Sequence, residues 1–214
     1  MTTPLIYPYH TVILANGTFP GHPVPVLFLH QASRIICCDG ATDNLLEHGL
    51  SPDFIVGDLD SLSPGLQSRF SHCLHHDPDQ NTNDLTKAVN YCIQMQWTEI
   101  TILGATGKRE DHSIGNISLL TEYAANANVQ LITDYGVLTP LLKSERFECF
   151  AGQQVSIFSL TPGTIFSFHG LKYPLSKQII SSWWQGTLNE ALGAEFMIEM
   201  DYGKALVFRQ HQQS

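Results

Sequence analysis

The stretch DFIVGDLDS, residues 53–61, decides the fold that we predict for this chain. Its apolar run FIV is typical of a buried strand, and that strand ends at Gly57. Asp58 and Asp60 follow two residues apart, with Ser61 behind them. If the direction of the strand continues through Asp60, the two-residue period of a strand places both carboxylates on the same side.

The spacing of Asp58 and Asp60 indicates a magnesium site. Two carboxylates held close together repel each other, and each raises the pKa of the other unless a cation lies between them. Carboxylates, completed by water and by phosphate oxygens, are the usual ligands of Mg²⁺ in phosphoryl-transfer enzymes. A solvated turn capped by Asp and Ser explains the same pattern, and both interpretations stay open at this point.

The composition narrows the class of protein. A chain of 214 residues with 43% hydrophobic content can bury a sizeable core, as one large domain or two small ones. The net charge of -9 argues against nucleic acid or an anionic membrane as a partner. The five cysteines include no CxxC pair, which favours reduced thiols in the cytoplasm. We expect no signal peptide at the N-terminus and no membrane span.

Strands and helices alternate through the first half of the chain. Strand patterns occur at residues 11–15, 34–38, 54–57, 73–75, 99–103 and 129–133, and helical patterns at 24–32, 41–49, 66–70, 84–95 and from 111 onward. We favour a helix at 24–32 because parallel pairing of the flanking strands needs a crossover of that length. The last helix is predicted to bury Ile114, Ile117, Leu119 and Leu120. The alternation predicts an α/β domain, a mainly parallel sheet with helices on both faces.

The second half of the chain has a different pattern. Short apolar runs at residues 147–150, 155–160, 164–168, 195–200 and 204–208 lie between turn residues, which predicts an antiparallel β-sandwich. The residues Asp201, Tyr202 and Gly203 are predicted to form a hairpin turn between the last two runs. We therefore divide the chain into an α/β domain, residues 1–138, and a β-sandwich domain, residues 139–214.

Four polar segments follow the predicted strands of the first domain. They are Asp39, the pair Asp58 and Asp60, residues 79–87 and residues 104–112. Because the carboxyl ends of parallel strands share one edge, where ligands bind at a topological switch point, we expect these segments to meet in one crevice.

Two of these segments carry groups suited to phosphate. In DQNTNDLTK, residues 79–87, one interpretation is that Asn83 or Asp84 caps a helix. In the other, the start of that helix, the Asp84 carboxylate and Lys87 together bind a phosphate or the water shell of a metal. GATGKREDH, residues 104–112, fails the Walker pattern, but its glycines allow close approach of a nucleotide. Arg109 suits phosphate oxygens and His112 can exchange a proton, although both residues also fit a solvated loop.

The aromatic residues of the second domain allow two interpretations. Trp183 and Trp184 point to opposite faces if they lie on a strand, so that one of them normally fills the core. The other, or Tyr173, is a candidate for stacking on a flat or cationic ligand. A role in the core or in a dimer contact is the alternative.

Six motifs, taken together, resemble one known family. They are DGA at 39–41, GDLDS at 57–61, DQNTNDLTK at 79–87, GATGKREDHSIGN at 104–116, GLKYPL at 170–175 and GTLNE at 186–190. In order and spacing they resemble the thiamin pyrophosphokinase family across nearly the whole chain. The resemblance implies an ATP- and Mg²⁺-binding catalytic domain, a β-sandwich domain that binds thiamin, and a homodimer whose thiamin site lies between one subunit's first domain and the other's second. It also implies the reaction of thiamin with ATP to give thiamin diphosphate and AMP.

The resemblance further implies roles for individual residues. The acidic cluster around metal and phosphates corresponds to Asp39, Asp58, Asp60 and Asp84, with Asp58, Asp60 and Asp84 as metal ligands. The nucleotide and phosphate positions correspond to Ser61, Gln80, Asn83, Lys87, Arg109, Asp111 and His112. The thiamin positions correspond to Thr187 and Asn189, with Tyr173 as the candidate for stacking. Asn83 is a departure, because the family commonly has Thr there.

Three functions remain to be distinguished at this stage. In the first, the thiamin hydroxyl attacks the β-phosphorus of ATP and expels AMP, with the acidic cluster, Lys87 and Arg109 stabilising the phosphates. The alternatives are a Mg²⁺-dependent phosphohydrolase or nucleotidyl transferase that uses the same D-x-D pair, and a nucleotide- or thiamin-binding module without turnover.

Overall fold

The computed structural model describes residues 10–212 and divides into two compact units between Asp134 and Tyr135. Our expectation about a signal peptide concerns the first residues of the chain, and residues 1–9 lie outside the described part. No helix among the described residues combines the length and the apolarity needed to cross a bilayer.

The first unit contains a parallel sheet, as the alternating pattern predicted. Its strands are β1 (Thr11–Leu14), β2 (Arg34–Cys38), β3 (Phe54–Gly57), β4 (Leu74–His76), β5 (Glu99–Leu103) and β6 (Asn128–Ile132). Within the unit they lie in the order β6-β5-β1-β2-β3-β4, and each neighbouring pair is parallel. All four residues of β1 are buried, which is typical of a central strand covered on both faces.

The helices of the first unit connect these strands. They are α1 (Pro23–Gln31), α2 (Thr42–Glu47), α3 (Pro64–Arg69), α4 (Asp84–Gln94) and α5 (Glu110–Tyr123), and a 3₁₀ turn covers Asp39–Ala41. Side chains cap three of them: His22 accepts from Val24 N–H, Ser63 from Leu66 N–H and Asn83 from Thr86 N–H. The helix that we favoured over a strand at residues 24–32 is therefore confirmed as α1.

Helix α4 buries the predicted stripe, whereas α5 does not. In α4, Leu85, Ala88, Val89 and Cys92 are buried. In α5 the buried residues are Leu120, Thr121 and Tyr123, while Ile117 and Leu119 are half-buried and Ile114 is 58% exposed. The prediction that Ile114 is buried was wrong because only the last turns of α5 pack on the core; its first turns border a groove described below.

The topology of the sheet gathers the polar loops at one edge. The chain adds β2, β3 and β4 on one side of β1 and then β5 and β6 on the other, so the order of strands reverses beside β1. The loops after β1, β2, β3, β4 and β5 all leave the carboxyl edge of the parallel sheet, where α/β proteins bind ligands.

The second unit is built from two antiparallel sheets. Its strands are β7 (Gly136–Leu141), β8 (Glu145–Glu148), β9 (Gln154–Ser159), β10 (Ile165–His169), β11 (Leu175–Ile179), β12 (Asn189–Glu190), β13 (Glu195–Met200) and β14 (Ala205–Gln210). One sheet has the order β12-β9-β14-β7 and the other β11-β10-β13-β8. Alternate residues of facing strands, among them Phe166, Phe168, Phe196, Ile157 and Val207, form the core. This arrangement confirms the predicted β-sandwich.

Three details of the second unit correct the sequence predictions. The segment 201–203 is not a hairpin turn, because β13 belongs to one sheet and β14 to the other; the Asp201 carboxylate holds this crossing by accepting hydrogen bonds from the N–H groups of Ile165 and Tyr202. Trp183 and Trp184 lie on a 3₁₀ helix, Trp183–Gly186, rather than on a strand, and they are 52% and 72% exposed, so neither fills the core. The strands β7, β11 and β12 were not predicted, and of these β11 is mostly exposed and lacks an apolar pattern.

Replacing Gly49 by Ala is expected to destabilise the protein by about 1 kcal/mol. Gly49 follows α2 with φ of +74°, and nothing lies within 4 Å of an added Cβ, so the cost comes from the backbone conformation alone. Gly65 is the matched control, because it also has open space but lies inside α3 without a positive φ. Urea unfolding should show that Gly65→Ala leaves stability unchanged or raises it; equal effects of both substitutions would contradict the explanation.

Candidate active site

Three carboxylates meet at the carboxyl edge of the parallel sheet. Asp39 begins the 3₁₀ turn after β2, and Asp58 and Asp60 follow β3. Each contributes a carboxylate oxygen, and these oxygens lie within 4.8 Å of one another. We call Asp39, Asp58 and Asp60 the acidic triad.

A turn, and not a continued strand, brings Asp58 and Asp60 together. Strand β3 ends at Gly57, and Leu59 has φ of +66°, which is unusual for a residue with a branched side chain. The N–H of Asp60 donates to Asp58 Oδ1 at 3.3 Å. The strand alternation that we invoked for this pair therefore does not apply, although the pair itself forms.

Gly57 allows Asp39 to reach the other two carboxylates. A Cβ on Gly57 would lie 2.9 Å from Cγ of Asp39, closer than side chains tolerate. The absence of a side chain at Gly57 therefore leaves the space that the Asp39 carboxylate occupies.

Asp39 is the unusual member of the acidic triad. Its side chain is buried; Oδ1 accepts a hydrogen bond from Gly40 N–H at 2.6 Å, whereas Oδ2 has no hydrogen-bond partner among the described residues. Burial raises the pKa of Asp39, the Gly40 N–H opposes that effect, and the charges of Asp84 and Asp58 raise the pKa further. A buried carboxylate oxygen without a donor, next to two more carboxylates, is suited to a hard divalent cation.

Asp58 has the opposite electrostatic environment. The N–H of Asp60 lowers the pKa of Asp58 most, and the amide of Gln80, which donates to Asp58 Oδ2 at 3.2 Å, lowers it too. On the other side of the triad, Ser61 Oγ donates to Asp60 Oδ1 at 3.1 Å. Gln80 and Ser61, both predicted from the sequence as site residues, thus contact the triad directly.

Lys87 is a buried cation beside the triad. Its residue is 3% exposed, and its ammonium lies 3.2 Å from Asp84 Oδ1 and 3.9 Å from Asp58 Oδ2. Burial opposes the charge of Lys87, but the hydrogen bond to Asp84 and the charges of Asp84, Asp58 and Asp77 outweigh it and raise the pKa. Asp84 therefore lies outside the acidic triad, where we had expected a third metal ligand, and is paired with Lys87.

The glycine-rich loop 104–109 lies next to the segment that follows β1. Gly104 and Gly107 have φ of +64° and +92°, a conformation that side chains rarely adopt. The N–H of Thr18 donates to Thr106 O at 2.8 Å, and its hydroxyl donates to Gly107 O at 2.9 Å. A groove of about 320 Å³ beside the loop is lined by Gly107, Lys108, Glu110, Ser113 and Ile114.

Arg109, Asp111 and His112 form a separate, exposed group at the start of α5. Arg109 pairs with Asp111 through two nitrogens, and this pairing lowers the pKa of Asp111 to about 2. The N–H of His112 donates to Asp111 Oδ1 at 2.9 Å. Among the described residues, Arg109 therefore forms its ion pair with Asp111 and its other hydrogen bonds within its own helix. None of them reaches the acidic triad.

The three predicted thiamin residues lie in the second unit. Asn189 is buried, and its amide accepts from Tyr173 N–H at 3.0 Å and donates to Tyr173 O at 2.8 Å, which fixes the GLKYPL segment. The Tyr173 ring is left 61% exposed. The Thr187 hydroxyl donates to Trp184 O at 2.7 Å. Tyr173 and Asn189 are therefore in direct contact, while Thr187 stabilises the turn before Asn189.

Sequence reasoning missed two asparagines that link the loops of the site. Asn16 Oδ1 accepts from Lys108 Nζ at 3.1 Å, and the Asn16 amide fills the space beside Gly40, where a Cβ would lie 2.3 Å away. In the sequence, the Asn-Gly dipeptide at 16–17 indicates only a turn after the first strand. Asn116 hydrogen-bonds both Asn83 and Ala105, and its presence in the motif at 104–116 was the available signal.

Removing the charge of Asp39 is expected to stabilise the protein when no metal is bound. Because the folded state raises the pKa of Asp39, its contribution to stability is fully present below the unfolded pKa and is lost as the pH rises through the folded pKa. At pH 8 in EDTA, Asp39→Asn should raise the free energy of unfolding by about 1 kcal/mol. Asn keeps the acceptor for Gly40 N–H. The surface control is Asp43→Asn. If Asp39→Asn and Asp43→Asn lower the free energy of unfolding equally, the explanation is wrong.

Comparison with known proteins covers both units. Residues 26–132 match the family described as thiamin pyrophosphokinase, catalytic domain, and residues 136–208 match thiamin pyrophosphokinase, substrate-binding domain. Thiamine pyrophosphokinase 2 of Arabidopsis thaliana is 25% identical over 198 residues, which cover 78% of this chain and 73% of the relative. Thiamine pyrophosphokinase of Bacillus subtilis is 33% identical over 127 residues, 56% of this chain and 58% of the relative.

A solved structure agrees with these sequence matches. The crystal structure of thiamin pyrophosphokinase from Geobacillus thermodenitrificans superimposes with a TM-score of 0.77 at 25% identity, over 95% of this chain and 98% of that one. The matched catalytic region contains the acidic triad, Lys87 and the glycine-rich loop, and the matched substrate-binding region contains Tyr173, Thr187 and Asn189. The chain belongs to the thiamin pyrophosphokinase family.

Proposed function

We propose that this chain transfers the pyrophosphoryl group of ATP to the hydroxyl of thiamin, giving thiamin diphosphate and AMP, with Mg²⁺ bound at the acidic triad. The observation that carries the proposal is the triad itself, which lies at the carboxyl edge of the sheet in the region matched to the family's catalytic domain. The family match does not favour a phosphohydrolase, a nucleotidyl transferase or a binding module without turnover.

The residues of the triad fit a magnesium ion. Asp58 and Asp60 supply partly exposed carboxylates, and Asp39 supplies the buried Oδ2 without a donor. Asp84, which we first expected as a ligand, keeps Lys87 in place beside Asp58. When bound, Mg²⁺ supplies positive charge that neutralises phosphate oxygens during the transfer.

The protein side chains then orient the reactants. In the proposed reaction the thiamin hydroxyl oxygen forms a bond to the β-phosphorus, the bond from that phosphorus to the oxygen bridging the α-phosphate breaks, and AMP leaves. The hydroxyl proton passes to Asp84, the carboxylate of the acidic cluster that is not assigned to the metal. Lys87 and Arg109 stabilise the phosphates; the exposed guanidinium of Arg109 exchanges Asp111 for phosphate oxygens.

In this proposal the nucleotide lies along the first unit and thiamin binds through the second. Gln80, Asn83, Asp111, His112 and Ser61 surround the phosphates and the nucleotide. Tyr173 presents an exposed ring for the cationic thiamin, next to Asn189 and Thr187. The five cysteines are unpaired, which supports our proposal that the protein works in the cytoplasm.

One assay tests the proposed reaction and its rivals. AMP is measured by a coupled assay with ATP and Mg²⁺, in the presence and absence of thiamin. We expect AMP only when thiamin is present. Formation of ADP or inorganic phosphate without thiamin would indicate a hydrolase, and tight binding without any product would indicate a binding module.

We also propose that the chain forms a homodimer through apolar side chains of the second unit. Trp184, Leu188 and Leu192 are 72%, 76% and 62% exposed, and Trp183 lies beside them in sequence. Large apolar side chains exposed together mark interaction surfaces.

Trp184→Asp combined with Leu188→Asp is expected to convert the homodimer to a monomer. A charge buried in an apolar interface costs several kcal/mol, which raises the dissociation constant of a micromolar dimer by about 100-fold or more. Sedimentation velocity measures the change. Met95→Asp is the matched control, because Met95 is an exposed apolar residue of the first unit. A wild-type chain that sediments as a monomer would contradict the homodimer.

A further inference from the structure

A chain of two side-chain amides joins three segments of the first unit. The N–H of Thr86 donates to Asn83 Oδ1 at 2.8 Å, and Asn83 Nδ2 donates to Asn116 Oδ1 at 3.1 Å. Asn116 Nδ2 then donates to Ala105 O at 2.8 Å. The chain therefore runs from the start of α4, across α5, to the glycine-rich loop 104–109. We call Asn83 and Asn116 the amide relay.

The backbone groups at its two ends fix the direction of the amide relay. A backbone N–H can only donate, so the oxygen of Asn83 must face Thr86, and its nitrogen must face Asn116. A backbone carbonyl can only accept, so the nitrogen of Asn116 must face Ala105, and its oxygen must face Asn83. Both amide orientations thus follow from the ends, and the contact between the two amides is matched as donor to acceptor.

The amide relay connects the groups on which the proposed reaction depends. Helix α4 carries Asp84 and Lys87 in its first turn, and Lys87 reaches Asp58 of the triad. The loop leads directly into Lys108 and Arg109. On its other side, the loop is held by hydrogen bonds from the backbone that follows β1. The relay ties the loop to the start of α4 through side-chain hydrogen bonds.

We infer that Asn116 is a positioning residue for pyrophosphoryl transfer: it holds the loop that carries Lys108 and Arg109 in register with Asp84 and Lys87. This inference rests on the proposed function. It assigns Asn116 no contact with a substrate. A second link between α4 and α5, the 2.7 Å hydrogen bond between Thr86 Oγ1 and Tyr123 OH, joins the same helices without reaching the loop.

Asn116→Asp and Asn83→Asp test the inference with nearly unchanged side-chain size. Asp at 116 loses the donor to Ala105 O, and Asp at 83 keeps the helix cap but loses the donor to Asn116. Each variant should lower kcat/KM for ATP by about 10- to 100-fold, because small displacements of positioned groups slow catalysis by such factors. KM for thiamin should remain as in the wild type.

Tyr123→Phe is the matched control, since it removes the hydrogen bond between Thr86 and Tyr123, which also joins α4 and α5. It should lower the unfolding midpoint while leaving kcat/KM for ATP unchanged. If Asn116→Asp behaves like Tyr123→Phe, with lowered stability and normal kinetics, Asn116 is a structural residue and the inference fails.

Hydrogen exchange supplies a readout that does not need catalysis. The amide of Thr18 donates to the loop at Thr106 O, and the amide of Thr86 reports the helix cap. In Asn116→Asp we expect Thr18 to exchange about tenfold faster, while Thr86 is unchanged because Asn83 still caps α4. Unchanged exchange at Thr18 overturns the inference. A wild-type chain that makes no AMP overturns the proposed function instead, so the two failures are distinguishable.

Discussion

Asp58→Asn and Asp60→Asn are each expected to lower thiamin-dependent AMP formation by about 10³-fold or more, since a charge that acts on the developing transition state is removed from a preorganised site. Asn has the size of Asp but lacks the negative charge that attracts Mg²⁺. The fold should be retained, because neither side chain belongs to the apolar core. AMP formation at saturating ATP and thiamin, measured over a range of Mg²⁺ concentrations, gives the loss.

Asp43→Asn is the matched control for these variants. Asp43 is an exposed carboxylate on α2 and carries the same charge outside the triad, so its removal should leave AMP formation unchanged. Asp58→Asn is expected to lower the unfolding midpoint slightly, because the Asp60 N–H, the Gln80 amide and Lys87 stabilise the charged carboxylate in the folded state. Normal turnover by Asp58→Asn and Asp60→Asn in Mg²⁺ would remove the assignment of the triad to the metal.

Lys87→Met is expected to reduce both activity and stability. Met fills the volume of the buried Lys stem, but it leaves Asp84 and Asp58 without their shared cation. Because Asp84 is 40% exposed at its side chain and partly screened by solvent, we expect a loss of about 2 kcal/mol in the free energy of unfolding, less than for a fully buried pair. AMP formation should fall by about 100-fold or more, because one positive charge beside the phosphates is lost.

The double variant Lys87→Met with Asp84→Asn separates the two effects. Removal of both partners of an ion pair is far less destabilising than removal of one, so urea unfolding should show most of the lost stability restored. AMP formation should stay low, because the positive charge is still missing. If Lys87→Met unfolds at the wild-type denaturant concentration and turns over normally, Lys87 has neither role.

The sequence predicts the strands of the first unit well because their signal is local. Most of these strands contain a short run of apolar residues bounded by turn residues, a pattern that does not depend on their neighbours in the sheet. Strand β4, with the sequence LHH, is the exception and gave only a weak pattern. In the second unit, β11 has the sequence LSKQI and is mostly exposed, so it lacks the apolar alternation that identified β10 and β13. Its position is set by pairing with β10, a contact that lies outside its own sequence.

The sequence predicts which segments come together at the candidate site, but it does not predict which side chains are in contact there. Parallel topology places the ends of β2 and β3 at one edge, and this brought Asp39 to Asp58 and Asp60 as expected. Which carboxylate completes the group depends on finer geometry: Leu59 turns the chain, Gly57 makes room for Asp39, and Lys87 draws Asp84 away. None of these effects has a periodic pattern in the sequence.

Strand β14 lies between β7 and β9, although it follows both of them along the chain. On a translating ribosome, β7 and β9 therefore emerge well before the segment that must fit between them. The second unit can complete this sheet only after β14 has left the exit tunnel, so the sheet cannot form while only β7 and β9 have emerged. A premature stop codon directly after residue 204 would delete this strand from the middle of its sheet, and we expect such a product to be degraded.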